Sequence, residues 1–294
     1  MEEYILSCCS TADLSKDYLE ERKIKYVCFH YELDGKQYKD DFGESIPLED
    51  FYRAMDNGAM TRTSQVNVQE YVDHFRPFLE SGKDILHLTL STGISGTYNS
   101  AKIAQEKLQQ EFPARKIIVM DSLAASAGYG LFMDKLADLR DQGHSLEELQ
   151  TWAEENRPYV HHWFLSTDLT FYVRGGRISK TAGFIGNVLN ICPLMHVDKD
   201  GKLEIVSKVR TKKKAFKEIV EKMKEHAQNG TEYDQKCFIS QSGCYEDART
   251  VADLIEESFP HLKGKVQIFN IGTTIGSHTG RGTIALYFWG DRRE

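Results

Sequence analysis

Short apolar runs, each followed by a polar turn and then a helical period, organise the chain. "YILS" from Tyr4, "ILHLTL" from Ile85 and "KIIVM" from Lys116 read as strands of a parallel sheet. A strand covered on both faces is apolar throughout rather than alternating. After the second run, Ala101, Ala104 and Leu108 recur at helical intervals, with Glu106, Lys107, Gln109 and Gln110 on the wet face. Ser10 and Asp13 have the spacing of a helix start after the first run, and Ser145 with Glu148 forms a capping box for a helix ending near Pro158. The small residues of "DSLAASAGYG" allow a helix to lie close to a sheet.

A second series follows: "HWFLST" from His162, "KCFISQ" from Lys236, "VQIFNIG" from Val266 and "TIALYFW" from Thr283. Between the middle two, Ala248, Val251, Leu254, Ile255 and Phe259 share one helix face. The break near Arg157–Val160 divides the chain into residues 1–160 and 161–294, each an α/β domain, the first with a mainly parallel sheet. Phe184, Ile185, Val188 and Leu189 in "RGGRISKTAGFIGNVLN" suit one face of a short helix.

Composition narrows the function classes. At 294 residues, 40% hydrophobic and 28% charged, the chain can bury a sizeable core, and no biased tract points to disorder. A net charge of −7 argues against nucleic acid as a general partner, because duplex binding needs many cation–phosphate contacts. None of the six cysteines forms a C-x-x-C, and none sits with histidine at zinc-finger spacing, so no metal is expected. The first residues lack the basic and long apolar regions of a signal peptide, and no stretch has the length of a membrane span. The expectation is a reduced, cytoplasmic protein with cysteines used for packing.

Ligands of open parallel sheets bind at the carboxyl ends of the strands. Those ends read "SCCST", "STGISGT" and "DSLAAS", rich in small hydroxyls and thiols and free of Lys and Arg. Hydroxyls and helix N-terminal amides suit a single anionic head group; a polyphosphate would call for cations. "LSTGISGTYNSAK" is no Walker A loop, since no Lys follows Gly96. It falls one residue short of a nucleophile elbow, with Thr97 where the last glycine belongs. "TRTSQVN" precedes a helix starting near Val68, and His278 lies between Gly276 and Gly280 in what reads as a tight turn. Helix capping or plain packing explains each stretch when it is taken alone.

Taken together and in order, "CSTADLS", "TSQ", "LSTGISGTYNSA", "VMDS", "RGGRISKTAGFIGN", "VRT" and "SHTGRG" resemble the DegV family of bacterial proteins along almost the whole chain. The resemblance implies two α/β domains with a fatty acid in a cleft between them, and no cofactor. It also implies a non-catalytic acyl-carrying subunit that presents its ligand to the catalytic subunit of a fatty acid kinase, in fatty acid uptake and phospholipid metabolism. Carboxylate binding then falls on Thr63, Ser95 and His278. Arg177 and Arg210 match arginines near the head group and the kinase-facing side, with Ser122 a weaker candidate. Phe184, Ile185, Val188 and Leu189 would line the acyl slot, with Ile94 and Ile275 nearer the head. Two departures stand out: Val66 replaces the usual proline after "TSQ", and Cys9 replaces the first acid of "DSTSD".

Such a ligand divides the work of binding. About fifteen buried methylenes at about 0.8 kcal/mol each contribute on the order of 10 kcal/mol, whereas a neutral hydrogen bond nets only about 1 kcal/mol. The tail supplies affinity and the head-group residues supply position. The run "SKVRTKKKAFK" reads first as a solvated helix face, and second as a docking surface for an acidic partner or, transiently, for anionic lipid headgroups. Two other functions compete with the carrier: a serine hydrolase or acyltransferase using Ser95 and His278, and a scaffold with a vestigial pocket.

Overall fold

The computed structural model describes residues 4–179 and 191–294. The three early apolar runs form β1 (Tyr4–Cys9), β6 (Asp84–Thr89) and β7 (Ile117–Asp121) of one sheet, to which β2 (Ile24–Val27) adds an edge strand. Their order is β2-β1-β6-β7, and every pairing is parallel. Alternation along the strands sorts side chains to two faces. Ile85, Cys9 and Val119 pack with α3 (Val68–Glu80) and α4 (Thr97–Glu111). Leu86, Leu88, Leu6 and Cys8 join α5 (Ser126–Asp141) and α6 (Leu146–Asn156).

A small antiparallel sheet of β3 (His30–Leu33), β4 (Lys36–Lys39) and β5 (Thr61–Ser64), ordered β4-β3-β5, sits beside it. Helix α2 (Leu48–Asp56) covers this sheet through Phe51, Tyr52 and Met55, which cluster with Tyr31. The third sheet contains β8 (Val160–Leu165), β9 (Ile191–Val197), β10 (Leu203–Arg210), β11 (Phe238–Gln241), β12 (Gln267–Asn270) and β13 (Ile284–Trp289). Its order is β10-β9-β8-β13-β11-β12, with only β11–β12 parallel. The four- and three-stranded sheets draw on strands up to Asp121, and the six-stranded sheet starts at Val160.

Helix α5 is the joint. It is buried from Ser126 through Asp134 without a break, so it has no wet face over that stretch. It packs on β1 of the first sheet and on β8, β11 and β13 of the third. Glycine makes the approach possible: a Cβ on Gly128 would collide with His162 and Tyr287, and one on Gly130 would lie 2.7 Å from the Ala12 carbonyl oxygen. The other face of the six-stranded sheet is covered by α8 (Lys212–His226), and α9 (Tyr245–Ser258) packs on α8 and β11.

Several local expectations are revised. Ser10 does not begin the first helix. Residues Ser10–Ala12 make one 3₁₀ turn, Asp13 is left-handed at φ 49°, and α1 (Lys16–Glu21) starts later, capped by Ser15. The Ser10 hydroxyl donates instead to Asp40, 3.1 Å away, a tertiary bond that local spacing does not reveal. His278 does not lie in a tight turn but in the last turn of α10 (Thr273–Thr279), and the turn proper is Gly280, at φ 69°. Val66, in place of proline, is fully buried beside Tyr71 and Phe75, and the start of α3 is held by an Asn67–Glu70 capping box. Cys9 is also fully buried, its thiol 3.2 Å from the Tyr71 hydroxyl, so this position contributes packing to the core.

Candidate functional site

A cavity of about 420 Å³ opens where the three sheets meet, within the range of about 300–1,000 Å³ typical of small-molecule sites. Its polar end collects Thr63, Ser64 and Gln65 from β5 and the residue after it, Ser95 and Gly96 from the turn before α4, and His278 from α10. Its long wall is one face of the six-stranded sheet. His162 and Phe164 of β8 alternate inward beside Ala285 and Tyr287 of β13, with Val197 and Leu203 alongside. Ile94, Ile275, Phe29 and Leu90 close the opposite side, and Tyr172 of α7 (Thr170–Arg174) contributes an aromatic edge.

Thr63 and His278, 215 positions apart, meet directly: Thr63 Oγ1 lies 2.7 Å from His278 Nε2. The other ring nitrogen, Nδ1, is buried with no partner among the described residues, and Gly175 packs so closely over it that a Cβ there would overlap. Burial, helped by the nearby Arg177 charge, lowers the His278 pKa to about 4, so the ring is neutral at pH 7. With the ring proton on Nε2, the ring donates to Thr63 Oγ1 and leaves the Thr63 hydroxyl proton free to point into the cavity.

Arg177 is the second incomplete group. Its Nη1 donates to the Gly175 carbonyl at 2.6 Å, but its Nε is buried without an acceptor among the described residues, and burial depresses its pKa. A partly desolvated guanidinium with an unused donor has the chemistry to receive an anion. Ser95 faces the same space. Its hydroxyl accepts from the Thr97 amide at 3.3 Å, and α4 begins at the bare N-cap Gly96, where a Cβ would lie 2.9 Å from Gln65 Oε1. The positive end of a fifteen-residue helix therefore opens onto the polar end of the cavity.

Two buried carboxyl groups fix the helix that carries His278. Asp40 Oδ1 accepts from the Thr273 amide at 3.0 Å and its hydroxyl at 2.8 Å, and Asp13 Oδ1 accepts from the Gly272 amide at 2.9 Å. The other Asp13 oxygen accepts from Ser126. Burial raises both carboxyl pKa values, and for Asp13 the neighbouring Asp40 charge adds to the effect. Tyr52 completes the clamp by donating to the Ile271 carbonyl at 2.8 Å, with Gly276 pressed against its ring.

Of the residues expected from sequence, Thr63, Ser95, His278, Arg177, Ile94 and Ile275 all line this cavity. Ser122 does not: it is fully buried in the turn after β7, where its hydroxyl accepts from the Ala124 amide at 3.1 Å. Arg210 is exposed at the end of β10, outside the lining. Phe184, Ile185, Val188 and Leu189 lie outside the described residues. Sequence reading missed His162, Phe164, Ala285 and Tyr287; their period of two within two all-apolar runs was the available signal. It also passed over the Asp13–Asp40 clamp, which only long-range contact reveals.

The known proteins that this chain resembles have the same architecture. The DegV family, described as uncharacterised proteins, matches residues 9–290. A DegV domain-containing protein of Clostridium perfringens is 37% identical over 294 residues, covering all of both chains. A Thermus thermophilus structure described as fatty acid binding of a DegV family protein superposes with TM-score 0.86 at 28% identity, covering 99% of this chain and 100% of that one. The Fatty Acid Kinase (Fak) B3 protein of Streptococcus pneumoniae, solved loaded with linoleic acid, shares the fold at TM-score 0.84 and 22% identity, over 98% of this chain and 99% of that one. With its parallel sheet, its second α/β half, its cavity between them and its full-length match, the chain belongs to the DegV family.

Proposed function

We propose that this protein binds one long-chain fatty acid, holding the tail in the cavity and the carboxylate at its Thr63–Ser95–His278–Arg177 end, and presents that carboxylate to a separate fatty acid kinase. One observation carries the reading: among the described residues the buried donor Arg177 Nε has no acceptor, and it stands with the Thr63 and Ser95 hydroxyls at the polar end of an otherwise largely apolar-walled cavity. An anion with a long aliphatic tail satisfies both features at once. The neighbours solved with fatty acids support the ligand class, and the Fak B3 neighbour supports the kinase partner.

In this mechanism the protein performs no bond chemistry. The wall of β8 and β13 withdraws the tail from water, and Thr63, Ser95 and Arg177 donate to the carboxylate. The clamp on α10 keeps His278 in register with Thr63. The kinase supplies ATP and phosphoryl transfer, and the exposed Arg210, Lys213, Lys214 and Lys217 offer it a cationic docking face. The hydrolase alternative finds less support among the described residues: His278 Nε2 pairs with Thr63, Ser95 Oγ accepts from the Thr97 amide, and no acid is hydrogen-bonded to Nδ1. Solvent extraction of the purified protein followed by mass spectrometry should release about one equivalent of a C14–C20 fatty acid, since about fifteen methylenes match the burial argument. An empty protein that also fails to bind added fatty acid, or a covalent adduct on Ser95, sinks the proposal.

A further inference from the structure

On the opposite face of the six-stranded sheet, away from the cavity, three side chains converge that the fatty-acid reading does not use. His161 of β8, His226 at the end of α8 and Asp291 just past β13 place one ligand atom each within 4.8 Å of one another. His161 Nε2 lies 2.9 Å from Asp291 Oδ1, and His226 Nδ1 lies 3.2 Å from the same oxygen. The two imidazoles are stacked, with centroids 5.0 Å apart and planes 22° from parallel.

We propose that His161, His226 and Asp291 bind a late first-row divalent transition-metal ion of the zinc type. Two imidazole nitrogens and one carboxylate are a donor set suited to zinc, copper or nickel and poor for magnesium or calcium, which take oxygen ligands. Metal–ligand bonds of about 2.0–2.2 Å put neighbouring ligand atoms of a tetrahedron about 3.3–3.6 Å apart. The two ligand separations on Asp291 must open by about 0.1–0.7 Å, and the two imidazole nitrogens, within 4.8 Å of each other, must reach the same spacing. Asp291 is also the exposed member, with 61% of its side chain accessible, so the fourth position faces solvent.

Backbone contacts hold the ligands in place. The Asp291 amide donates to the His226 carbonyl at 2.9 Å, and the Gly290 amide donates to the Tyr159 carbonyl at 2.9 Å. Gly290 lets the chain pass so near that a Cβ there would lie 2.6 Å from His161 Cδ2. His226 Nδ1 faces Asp291, while its Nε2 is 3.9 Å from Glu225 Oε2, an oxygen paired with Lys222 at 2.5 Å. Two contacts oppose binding: the Asp291 main-chain carbonyl lies 2.9 Å from His161 Nε2, a contact that an ion must displace, and the Trp163 indole N–H points at His161 Nδ1 from 3.4 Å, whereas ligation through Nε2 requires a proton on Nδ1. The indole bond given up is weak at that distance.

The test uses the full chain, stripped with a chelator and titrated with zinc by calorimetry and thermal melting. One equivalent should bind and raise Tm, with magnesium doing neither. Asp291→Ala, on the exposed ligand, and His226→Asn should each weaken zinc binding by at least about tenfold while leaving fatty-acid content unchanged. Trp163→Phe removes the opposing N–H and no ligand, and should bind zinc at least as tightly as the natural protein. Absence of saturable zinc binding, zinc binding retained in Asp291→Ala and His226→Asn, weaker binding in Trp163→Phe, or an equal response to magnesium would each overturn the assignment. Loss of fatty-acid binding in the natural protein leaves this site untouched, so the two readings fail separately.

Discussion

His278 shows how one buried side chain ties site chemistry to stability. Its folded pKa is about 4, against an ordinary 6.5, so between those values the unfolded chain takes up a proton that the folded one refuses. Stability therefore falls as pH drops from about 6.5 towards about 4, by up to about 1.4 kcal/mol per pH unit for this ring alone. His74, also lowered to about 4 by burial, acts in the same direction. Denaturant melts at pH 7 and pH 5 should show the loss, and His278→Asn should lose less between the two. A bound carboxylate next to the ring favours its protonated form, so fatty-acid loading should shrink the acid loss as well. Arg177→Gln should weaken fatty-acid binding by about tenfold to a hundredfold, the worth of about 1.5–3 kcal/mol for a charged hydrogen bond. Each lost pair of methylenes at the tail costs a similar amount, and a titration across chain lengths compares the two.

Among the elements, α5 is the most constrained. Gly128 lies on its inward side against His162 and Tyr287, both cavity residues. In an exposed helix Gly→Ala gains about 1 kcal/mol from propensity. Here the added methyl has no room, so Gly128→Ala should destabilise by about 1–3 kcal/mol and reduce fatty-acid uptake by pushing the wall inward. Chemical denaturation and a binding titration read the two effects. The start of α3 tests how Val66 replaces the family's proline. Its order comes from the capping box, so Asn67→Ala should cost about 1 kcal/mol.

These same elements show which parts of the fold were legible beforehand. The largely buried strands β1, β6, β7, β8, β11 and β13 and the half-exposed edge strand β12 announce themselves as short apolar runs, and the Ser145–Glu148 box marks α6 directly. Strands β3, β4 and β5 do not, because "HYEL", "KQYK" and "TRTS" are largely polar and become strands by pairing with one another. Helix α10 is seven residues rich in Gly, Ser and Thr, weak formers held helical by Asp13, Asp40 and Tyr52 from distant segments.

At the scale of the molecule, the hydrophobic core runs unbroken from the first sheet through α5 into the six-stranded sheet. We propose that residues 1–160 and 161–294 are two halves that fold together, and a calorimetric scan should show one transition. Arg293 fastens the same seam from the chain's end. It is 4% exposed and donates to the carbonyls of Leu123 and Arg157 at 2.9 and 3.1 Å, and to those of Val197 and Asp198 at 3.4 and 3.2 Å. Burial lowers its pKa to about 10, still well above neutrality. Arg293→Ala strands four carbonyls and should cost about 2–4 kcal/mol, seen as a lower Tm without a second transition.

The sequence by itself determined the α/β class, most strand positions and the family, because apolar period and motif order are local properties of the chain, and the family resemblance supplied Thr63, Ser95, His278 and Arg177 as candidates. Only the tertiary structure decided which of those groups meet, that Thr63 pairs with His278, that Ser122 is consumed in its own turn, and that Asp13 and Asp40 hold α10. Apart from the Ser122 turn, those outcomes depend on contacts between residues more than a hundred positions apart, where hydrogen-bond geometry and exclusion of water, rather than spacing along the chain, select the partner.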